Sequence, residues 1–258
     1  GGISDDGVPF LVMDYVDGMP LDEYCEARRL PLAARVEIVI QILDAVEYAH
    51  RRLLAHCDLK FSNILVTEAG EPRLLDFGVS KLLDPSVYGI EGQATQAAMR
   101  PFTPEFASPE QLGGGALTTS TDIYSMGVVL YSLATGTHPF ESLRQQPVAL
   151  LRATCTVTPE LPSVRAGADA LRGDLDAILM KALRKEPEGR YATASQFAAD
   201  LRCWLEHRPV QAHAGSRRYR MGKFVQRHRA GVAAGTMLAM VLAGGAGGTV
   251  WQYYRATQ

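Results

Sequence analysis

The sequence predicts an α+β protein with a mostly helical body, followed by a single transmembrane helix. Residues 63–67 and 72–76 are short apolar runs separated by an Ala-Gly pair, which is typical of a β-hairpin. Residues 32–52 repeat apolar side chains at the spacing of an amphipathic helix. Residues 230–250 carry no charged side chain over 21 positions, close to the ~20 residues that span a bilayer.

Composition and charge indicate a globular body with a basic tail. The chain has 258 residues, of which 47% are apolar, enough for one large domain or two small ones. Residues 1–206 carry 18 basic and 28 acidic side chains, whereas residues 207–258 carry eight basic and no acidic ones. For this tail we expect a membrane-lipid partner and no nucleic acid. The four cysteines are scattered without a C-x-x-C pair, which favours reduced thiols over a disulfide framework or a zinc site.

The first predicted elements are a strand and two helices. Residues 8–16 are an apolar, β-branched and aromatic run that ends in an Asp-Gly turn, so we expect a strand there. By themselves these residues support no more than a plain buried strand. Residues 21–29 predict a short helix, and residues 32–52 predict a longer one with an apolar face. That face consists of Val36, Val39, Ile40, Leu43, Val46 and Ala49.

After the hairpin the sequence predicts a mobile loop and further helices. The loop covers residues 79–99, which are polar and show no periodicity. Helices are predicted over residues 121–136, 175–183 and 193–207. The first is apolar nearly all round, which indicates a buried helix capped near Thr121 or Asp122 and ended by Gly136. The last opens with the Thr-x-x-Gln pattern of a capping box.

The most informative stretch runs from His56 to Gly78 and reads HCDLKFSNILVTEAGEPRLLDFG. In it, Asp58 stands five residues before Asn63, and Asp76 follows thirteen residues later at the start of Asp-Phe-Gly. The predicted hairpin carries Asp58 and Asn63 at its beginning and Asp76 at its end, so it brings the two acids and the amide together. Oxygen groups of this kind suit a hard cation that holds phosphate oxygens.

This spacing resembles the catalytic loop H-R-D-x-K-x-x-N and the D-F-G turn of eukaryotic-like protein kinases. The resemblance is to the bacterial, membrane-anchored serine/threonine kinases, and it covers roughly residues 1–208. It implies a protein-kinase-like fold, of which this chain holds the mostly helical C-lobe. It also implies transfer of the ATP γ-phosphate to Ser or Thr of protein substrates, with Mg²⁺. D-L-K-x-x-N is similar to serine/threonine kinases and differs from most tyrosine kinases.

The resemblance implies roles for individual residues. Asp58 would accept the proton of the attacking hydroxyl, and Lys60 would contact ATP and neutralise charge on the transferred group. Asn63 and Asp76 would hold Mg²⁺. The other implied ATP contacts are Met13 as gatekeeper, the backbone groups of Asp14 and Val16, and Leu65.

Further positions are structural in the resemblance. Residues 103–110 resemble the substrate-facing loop and the A-P-E closing motif, in which Thr103 would shape the seat of the substrate hydroxyl. Glu110 and Arg190 would form a buried ion pair, although a solvated side chain is the ordinary alternative for an arginine. Asp122 would accept backbone N–H groups of the catalytic loop, and His56 would brace that loop.

The chain departs from the family at three points. Cys57 stands where most kinases have Arg, and a neutral thiol cannot make a charge-assisted bond to a phosphate. The usual arginine pairs with a phosphorylated activation-loop residue, so we expect that this activation loop does not need phosphate on that residue. A nucleophilic His56-Cys57 pair is disfavoured, because neighbours on an extended segment point apart. Phe61 replaces the usual Pro, which changes a turn and not a charge.

The third departure is an absence at the start of the chain. The first lysine is Lys60, and no G-x-G-x-x-G loop or strand lysine precedes it. The sequence also begins with Gly-Gly and not with Met. We therefore expect a fragment whose N-lobe is largely missing, inactive alone.

The expected domain organisation has four parts. They are a kinase domain (1–208), a basic juxtamembrane segment (209–229), a transmembrane helix (230–250) and the start of an extracytoplasmic region (251–258). The basic flank before the apolar run, and Trp251 and two tyrosines after it, favour a span with a cytoplasmic kinase domain. A buried soluble helix is the alternative. Small residues recur every four positions and could pair two spans into a homodimer, although a Gly/Ala-rich run produces such stripes by chance.

Two other functions stay open at this point. A truncated pseudokinase or membrane scaffold would keep the fold for binding only, and the missing N-lobe lysine is the feature that discriminates it. The complete set of catalytic acids and amide argues for an enzyme. A kinase acting on small molecules such as aminoglycosides would bind its metal ion through the same kinds of residues, but residues 103–110 and Arg190 are typical of protein-substrate kinases.

Overall fold

The computed structural model shows a mainly helical body. It describes residues 2–3, 9–10, 14–75, 81–82, 104–213 and 255. The helices are α1 (Leu21–Ala27), α2 (Leu32–His50), α3 (Pro109–Gly113), α4 (Thr119–Thr135), α5 (Pro147–Thr156), α6 (Pro162–Arg165), α7 (Asp174–Ala182) and α8 (Ala194–Leu205). Within these ranges no helix is long and apolar enough to cross a membrane. The predicted loop over residues 79–99 lies almost entirely outside them, and the predicted span over residues 230–250 lies wholly outside them.

The strands are short and pair antiparallel. They are β1 (Gly2–Ile3), β2 (Pro9–Phe10), β3 (Met19–Pro20), β4 (Leu54–Ala55), β5 (Ile64–Val66), β6 (Pro72–Leu74) and β7 (Lys81–Leu82). β5 and β6 form the predicted hairpin, in which Ile64 faces Leu74. β3 pairs with the other edge of β5, while β1–β2 and β4–β7 form separate pairs.

The strand predicted over residues 8–16 is wrong at its end. β2 ends at Phe10, and residues 14–18 have no regular secondary structure. Most of these side chains are exposed, and Tyr15 is 89% exposed. A run of aromatic and β-branched residues forms a strand only where one face is buried or a partner strand is present.

Helices α2 and α4 form the centre of the hydrophobic core. All six residues of the predicted apolar face of α2 are buried, and the helix packs against α8 and α4. α4 is buried nearly all round, and Gly136 ends it with a φ of 72°, as predicted. Thr121 lies near the cap, as predicted: the N-cap is Thr118, whose hydroxyl accepts the N–H of Ser120, and the Thr121 hydroxyl accepts the N–H of Thr118 in a capping box. Asp122 therefore lies inside the helix, and its carboxylate has other partners.

The last two predicted helices are confirmed. α7 and α8 lie within a few residues of the expected bounds, and the hydroxyl of Thr193 accepts the N–H of Gln196 at the start of α8. The ring of Phe197 on α8 stacks on the ring of Tyr191, which precedes the helix, with centroids 4.9 Å apart. The short helices α3, α5 and α6 have no counterpart among the predictions.

A close approach between α4 and the end of α7 generates a stability prediction. A Cβ atom on Gly127 would lie 3.0 Å from the Cβ of Ala182 and 3.1 Å from a methyl of Leu183. Gly127→Val should therefore lower the free energy of unfolding by about 2 kcal/mol, or Tm by about 4–8 °C, in differential scanning fluorimetry. Gly113→Val is the matched control, because no atom lies within 4 Å of a Cβ there. Equal losses in the two variants would contradict this account of the helix contact.

Candidate active site

The segment from His56 to Asn63 forms a loop that is anchored to α4 by Asp122. The Asp122 carboxylate is fully buried and accepts the backbone N–H groups of His56 (2.8 Å) and Cys57 (2.7 Å). It also accepts a hydrogen bond of 2.7 Å from Nε2 of His50. These donors compensate the loss of water around a buried carboxylate. The structure thus shows the contact with the loop backbone that the sequence predicted for Asp122.

His56 connects this loop to the hairpin. Its Nε2 lies 2.7 Å from the carbonyl oxygen of Leu75, and its Nδ1 accepts the N–H of Asp58 at 3.3 Å. Because Nδ1 accepts, the proton of the neutral imidazole belongs on Nε2. The N–H of Leu75 in turn donates to the carbonyl of Asn63 at 2.9 Å. The end of the hairpin therefore returns to the start of β5, and Asp76, the next residue, lies outside the described part of the chain.

The carboxylate of Asp58 lies between Lys60 and Asn63. The Nζ of Lys60 is 2.9 Å from Oδ2 of Asp58. The Nδ2 of Asn63 donates to the same oxygen at 3.0 Å and to the Asp58 carbonyl at 2.8 Å. The structure thus brings together three of the four residues predicted for catalysis and metal binding.

The oxygen atoms of Asp58 and Asn63 are of the kind that binds Mg²⁺. The amide nitrogen of Asn63 bonds to Asp58, so the amide oxygen is the atom that can bind a cation. Carboxylate and amide oxygens are ligands that Mg²⁺ accepts. No cluster of three His, Cys, Asp or Glu residues that could hold a metal ion occurs in the described ranges, from which Asp76 is missing.

The predicted ATP contacts are described in part. Met13, and Thr103 of the substrate-facing loop, lie outside the described residues. Asp14 is exposed, whereas Val16 and Leu65 are half-buried. The segment that carries Asp14 and Val16 reaches β5 at Gly18, where a Cβ atom would lie 3.1 Å from the Cβ of Leu65. Gly18, at the end of this segment, therefore lies against the strand that begins after Asn63.

The predicted ion pair between Glu110 and Arg190 ties α3 to the body. The two terminal guanidinium nitrogens of Arg190 each lie 2.8 Å from one carboxylate oxygen of Glu110, and the Arg190 side chain is fully buried. Arg190 also donates to the backbone carbonyls of Ser120, Arg184 and Lys185. Burial alone would raise the pKa of Glu110, but the hydrogen bond and charge of Arg190 outweigh it and hold the pKa below its ordinary value.

A groove of about 580 Å³ opens beside Lys60. α1 forms one side with Asp22, Glu23 and Glu26, and the segments around residues 105–106 and 132–144 form the other. On this second side Arg144 pairs with Glu105 at 2.9 Å and with Glu141 at 3.5 Å. The groove is therefore open next to Lys60, the partner of Asp58.

Comparison with known proteins agrees with this geometry. The family model for the protein kinase domain matches residues 3–200. The chain belongs to the protein kinase family. This confirms the predicted kinase fold at the level of the family.

The kinase is similar to several curated bacterial proteins. A probable serine/threonine-protein kinase of Streptomyces coelicolor is 35% identical over 213 residues, which are 82% of this chain and 30% of that protein. The serine/threonine-protein kinase PknB of Mycobacterium tuberculosis is 34% identical over 196 residues, 75% of this chain and 30% of PknB. The probable serine/threonine-protein kinase PknB of Bifidobacterium longum is 33% identical over 199 residues, which are 77% of this chain and 28% of that protein. The chain thus spans about 30% of the length of the curated relatives it matches.

Two features of the kinase site were missed by the sequence analysis. Phe61, expected only to alter a turn, lines the groove and contacts Phe106 edge-to-face, with ring centroids 5.4 Å apart. Gln111 on α3 donates from Nε2 to the carbonyl of Cys57 at 2.7 Å. A local signal for Gln111 exists, because Ser108-x-x-Gln111 has the same capping-box spacing that was recognised before α8.

The Glu110–Arg190 ion pair generates a prediction for stability and its pH dependence. Glu110→Gln should lower the free energy of unfolding at pH 7 by about 3 kcal/mol, because Arg190 is left buried without its counter-charge. Since the folded protein lowers the pKa of Glu110, the stabilisation is fully present above the ordinary pKa of 4.5 and is lost as the pH falls through the lowered value. In urea denaturation, the free energy of unfolding of wild type should therefore exceed that of the variant by less at pH 4 than at pH 7.

Glu71→Gln is the control for the effect of removing a carboxylate. Glu71 pairs with Arg73 at 2.7 Å, but both side chains are more than half exposed. Its loss should change the free energy of unfolding by less than about 1 kcal/mol. A Glu110→Gln variant as stable as this control at pH 7 would show that the buried pair does not hold α3.

Proposed function

We propose that this chain is the catalytic lobe of a serine/threonine protein kinase that transfers the γ-phosphate of ATP to Ser or Thr side chains of proteins, as part of a longer chain with an N-lobe. The observation that carries the proposal is the contact of Asp58 with both Lys60 and Asn63 in a member of the protein kinase family. The printed names of its relatives, which are serine/threonine-protein kinases, support the choice of acceptor residue.

Each side chain of the cluster has a distinct part in this reaction. Asp58 accepts the proton of the attacking hydroxyl, and the Asn63 amide orients the carboxylate through its bond to Oδ2. Lys60, 2.9 Å from the same oxygen, supplies positive charge where negative charge develops on the transferred group. Asn63 and Asp76 would hold Mg²⁺, which would supply positive charge to the phosphate groups of ATP.

The proposal also assigns the binding of the two substrates. Adenine would contact Met13, the backbone of Asp14 and Val16, and Leu65, which the approach of Gly18 to β5 supports. The protein segment would lie in the groove beside Lys60, with its hydroxyl near Asp58. Thr103 would shape the seat of that hydroxyl.

We propose that activation does not require a phosphorylated activation-loop residue to pair with position 57, where Cys57 replaces the usual arginine. A thiol cannot make a charge-assisted bond to phosphate. The backbone of Cys57 is instead held by Asp122 and Gln111, two bonds that do not depend on phosphorylation.

The test of the proposed reaction is Asp58→Asn in the full-length protein. Phosphate transfer from radiolabelled ATP to a generic protein substrate should fall by about 10²–10⁴-fold, because the proton acceptor is lost while the amide fills the same space. Asp44→Asn is the control, since Asp44 forms only an exposed pair with Arg202. Undiminished transfer by Asp58→Asn would contradict the role of Asp58. An inactive wild type that still binds partners would favour the scaffold function.

We further propose that the kinase is anchored to the membrane with its catalytic domain in the cytoplasm. The sequence supports this through three consecutive features of the tail. Seven basic residues without an acid lie between residues 208 and 229, an uncharged run covers residues 230–250, and an aromatic group follows it. The small residues Gly231, Gly235, Ala239, Ala243 and Gly247 could pair two such spans.

Fractionation of cells tests the anchor. Wild type should stay in the membrane pellet through an alkaline carbonate wash, because an apolar span is not released by removing electrostatic contacts. A variant lacking residues 230–250 should move to the soluble fraction, and cross-linking of the membranes should show whether two copies pair. Release of wild type by the wash would contradict a span and leave a peripheral basic segment as the anchor.

A further inference from the structure

The side chain of Gln111 uses both ends of its amide to connect two parts of the active site. Its Oε1 accepts the N–H of Ser108 at 2.9 Å, which closes the capping box of α3. Its Nε2 donates to the carbonyl of Cys57 at 2.7 Å. A helix cap therefore also reaches across to the residue before Asp58.

The Cys57 backbone is in a conformation that needs such support. Its φ is 62°, in the left-handed region that residues with a Cβ rarely adopt. Asp122 holds its N–H at 2.7 Å and Gln111 holds its carbonyl at 2.7 Å. The N–H of the same Cys57–Asp58 peptide donates to Nδ1 of His56 at 3.3 Å. Both polar atoms of the peptide that enters Asp58 are thus bound by side chains.

We propose that Gln111 is a positioning residue for Asp58. By fixing the orientation of the Cys57–Asp58 peptide, it aligns the carboxylate with α3 and with the substrate-facing segment that ends there. α3 is a firm support for this contact, because Glu110 beside Gln111 is held by the buried guanidinium of Arg190. The inference rests on the proposed role of Asp58 as proton acceptor.

The donor end of the amide distinguishes this function from capping. Glu caps a helix at this position as well as Gln does, because the cap uses only the side-chain oxygen. An ionised carboxylate, however, cannot donate to the Cys57 carbonyl and would repel it. Gln111→Glu therefore keeps the cap and removes the contact with the loop.

The experiment compares Gln111→Glu with Thr193→Ala in the full-length kinase. Thr193→Ala removes the hydroxyl that accepts the Gln196 N–H at 3.1 Å, and so weakens the cap of α8 without touching the contact between Gln111 and Cys57. At pH 8, kcat of Gln111→Glu should fall by about 10–100-fold, the scale that displacement of a catalytic group produces, while KM for ATP stays within about twofold. Thr193→Ala should lower Tm but keep kcat close to wild type.

Hydrogen exchange separates positioning from folding. Exchange of the peptide over residues 56–58 at pH 8 should be faster in Gln111→Glu than in wild type and unchanged in Thr193→Ala. A wild-type kcat in Gln111→Glu, or a loss of kcat that Thr193→Ala shows equally at the same loss of Tm, would overturn the proposal.

The two proposals fail in different ways. A wild type that transfers no phosphate would contradict the proposed function. The exchange measurement needs no activity and would still decide whether Gln111 holds the loop, because unchanged exchange in Gln111→Glu overturns that claim directly.

Discussion

The carboxylate of Asp122 is the contact on which the geometry of the active site depends. It lies inside the most buried helix, where an ionised group without partners would be strongly destabilising. Its partners are the backbone N–H groups of His56 and Cys57 and the ring of His50. The catalytic loop therefore supplies two of the donors that this buried carboxylate needs, and the carboxylate in turn holds the backbone of the loop.

A second support reaches the same loop from the opposite side. The ion pair of Glu110 and Arg190 fixes α3, and Gln111 extends from α3 to the carbonyl of Cys57. Between these two supports, Asp58 meets Lys60 and Asn63 through short polar contacts. Phosphoryl transfer depends mainly on positioning and charge, so a rigid frame around one acid suits that chemistry. The adjoining groove is open beside Lys60.

Much of this arrangement was predictable from local patterns. α2, α7 and α8 have periodic apolar faces, and the hairpin around residue 70 has two apolar runs with a turn between them, so their bounds matched the predictions closely. The cap of α4 was predicted only approximately, because Thr118, Thr121 and Asp122 are all residue types that cap helices; the structure shows that Thr118 and Thr121 form the capping box and that Asp122 binds the catalytic loop. The strand over residues 8–16 failed for a related reason, since β-propensity without a buried face does not make a strand.

The acids and amide around residues 58–76 could be recognised from residue type at a set spacing, and the family resemblance that they carry implied the pairing of Glu110 with Arg190. The contact of Phe61 with Phe106 in the groove and the bond of Gln111 to Cys57, 54 residues away, could be seen only in the folded chain. Such contacts depend on how α3 and the catalytic loop approach each other in space. Both are held by α4, where Asp122 binds the loop and Thr121 donates to Glu110 of α3, and no local pattern encodes this arrangement.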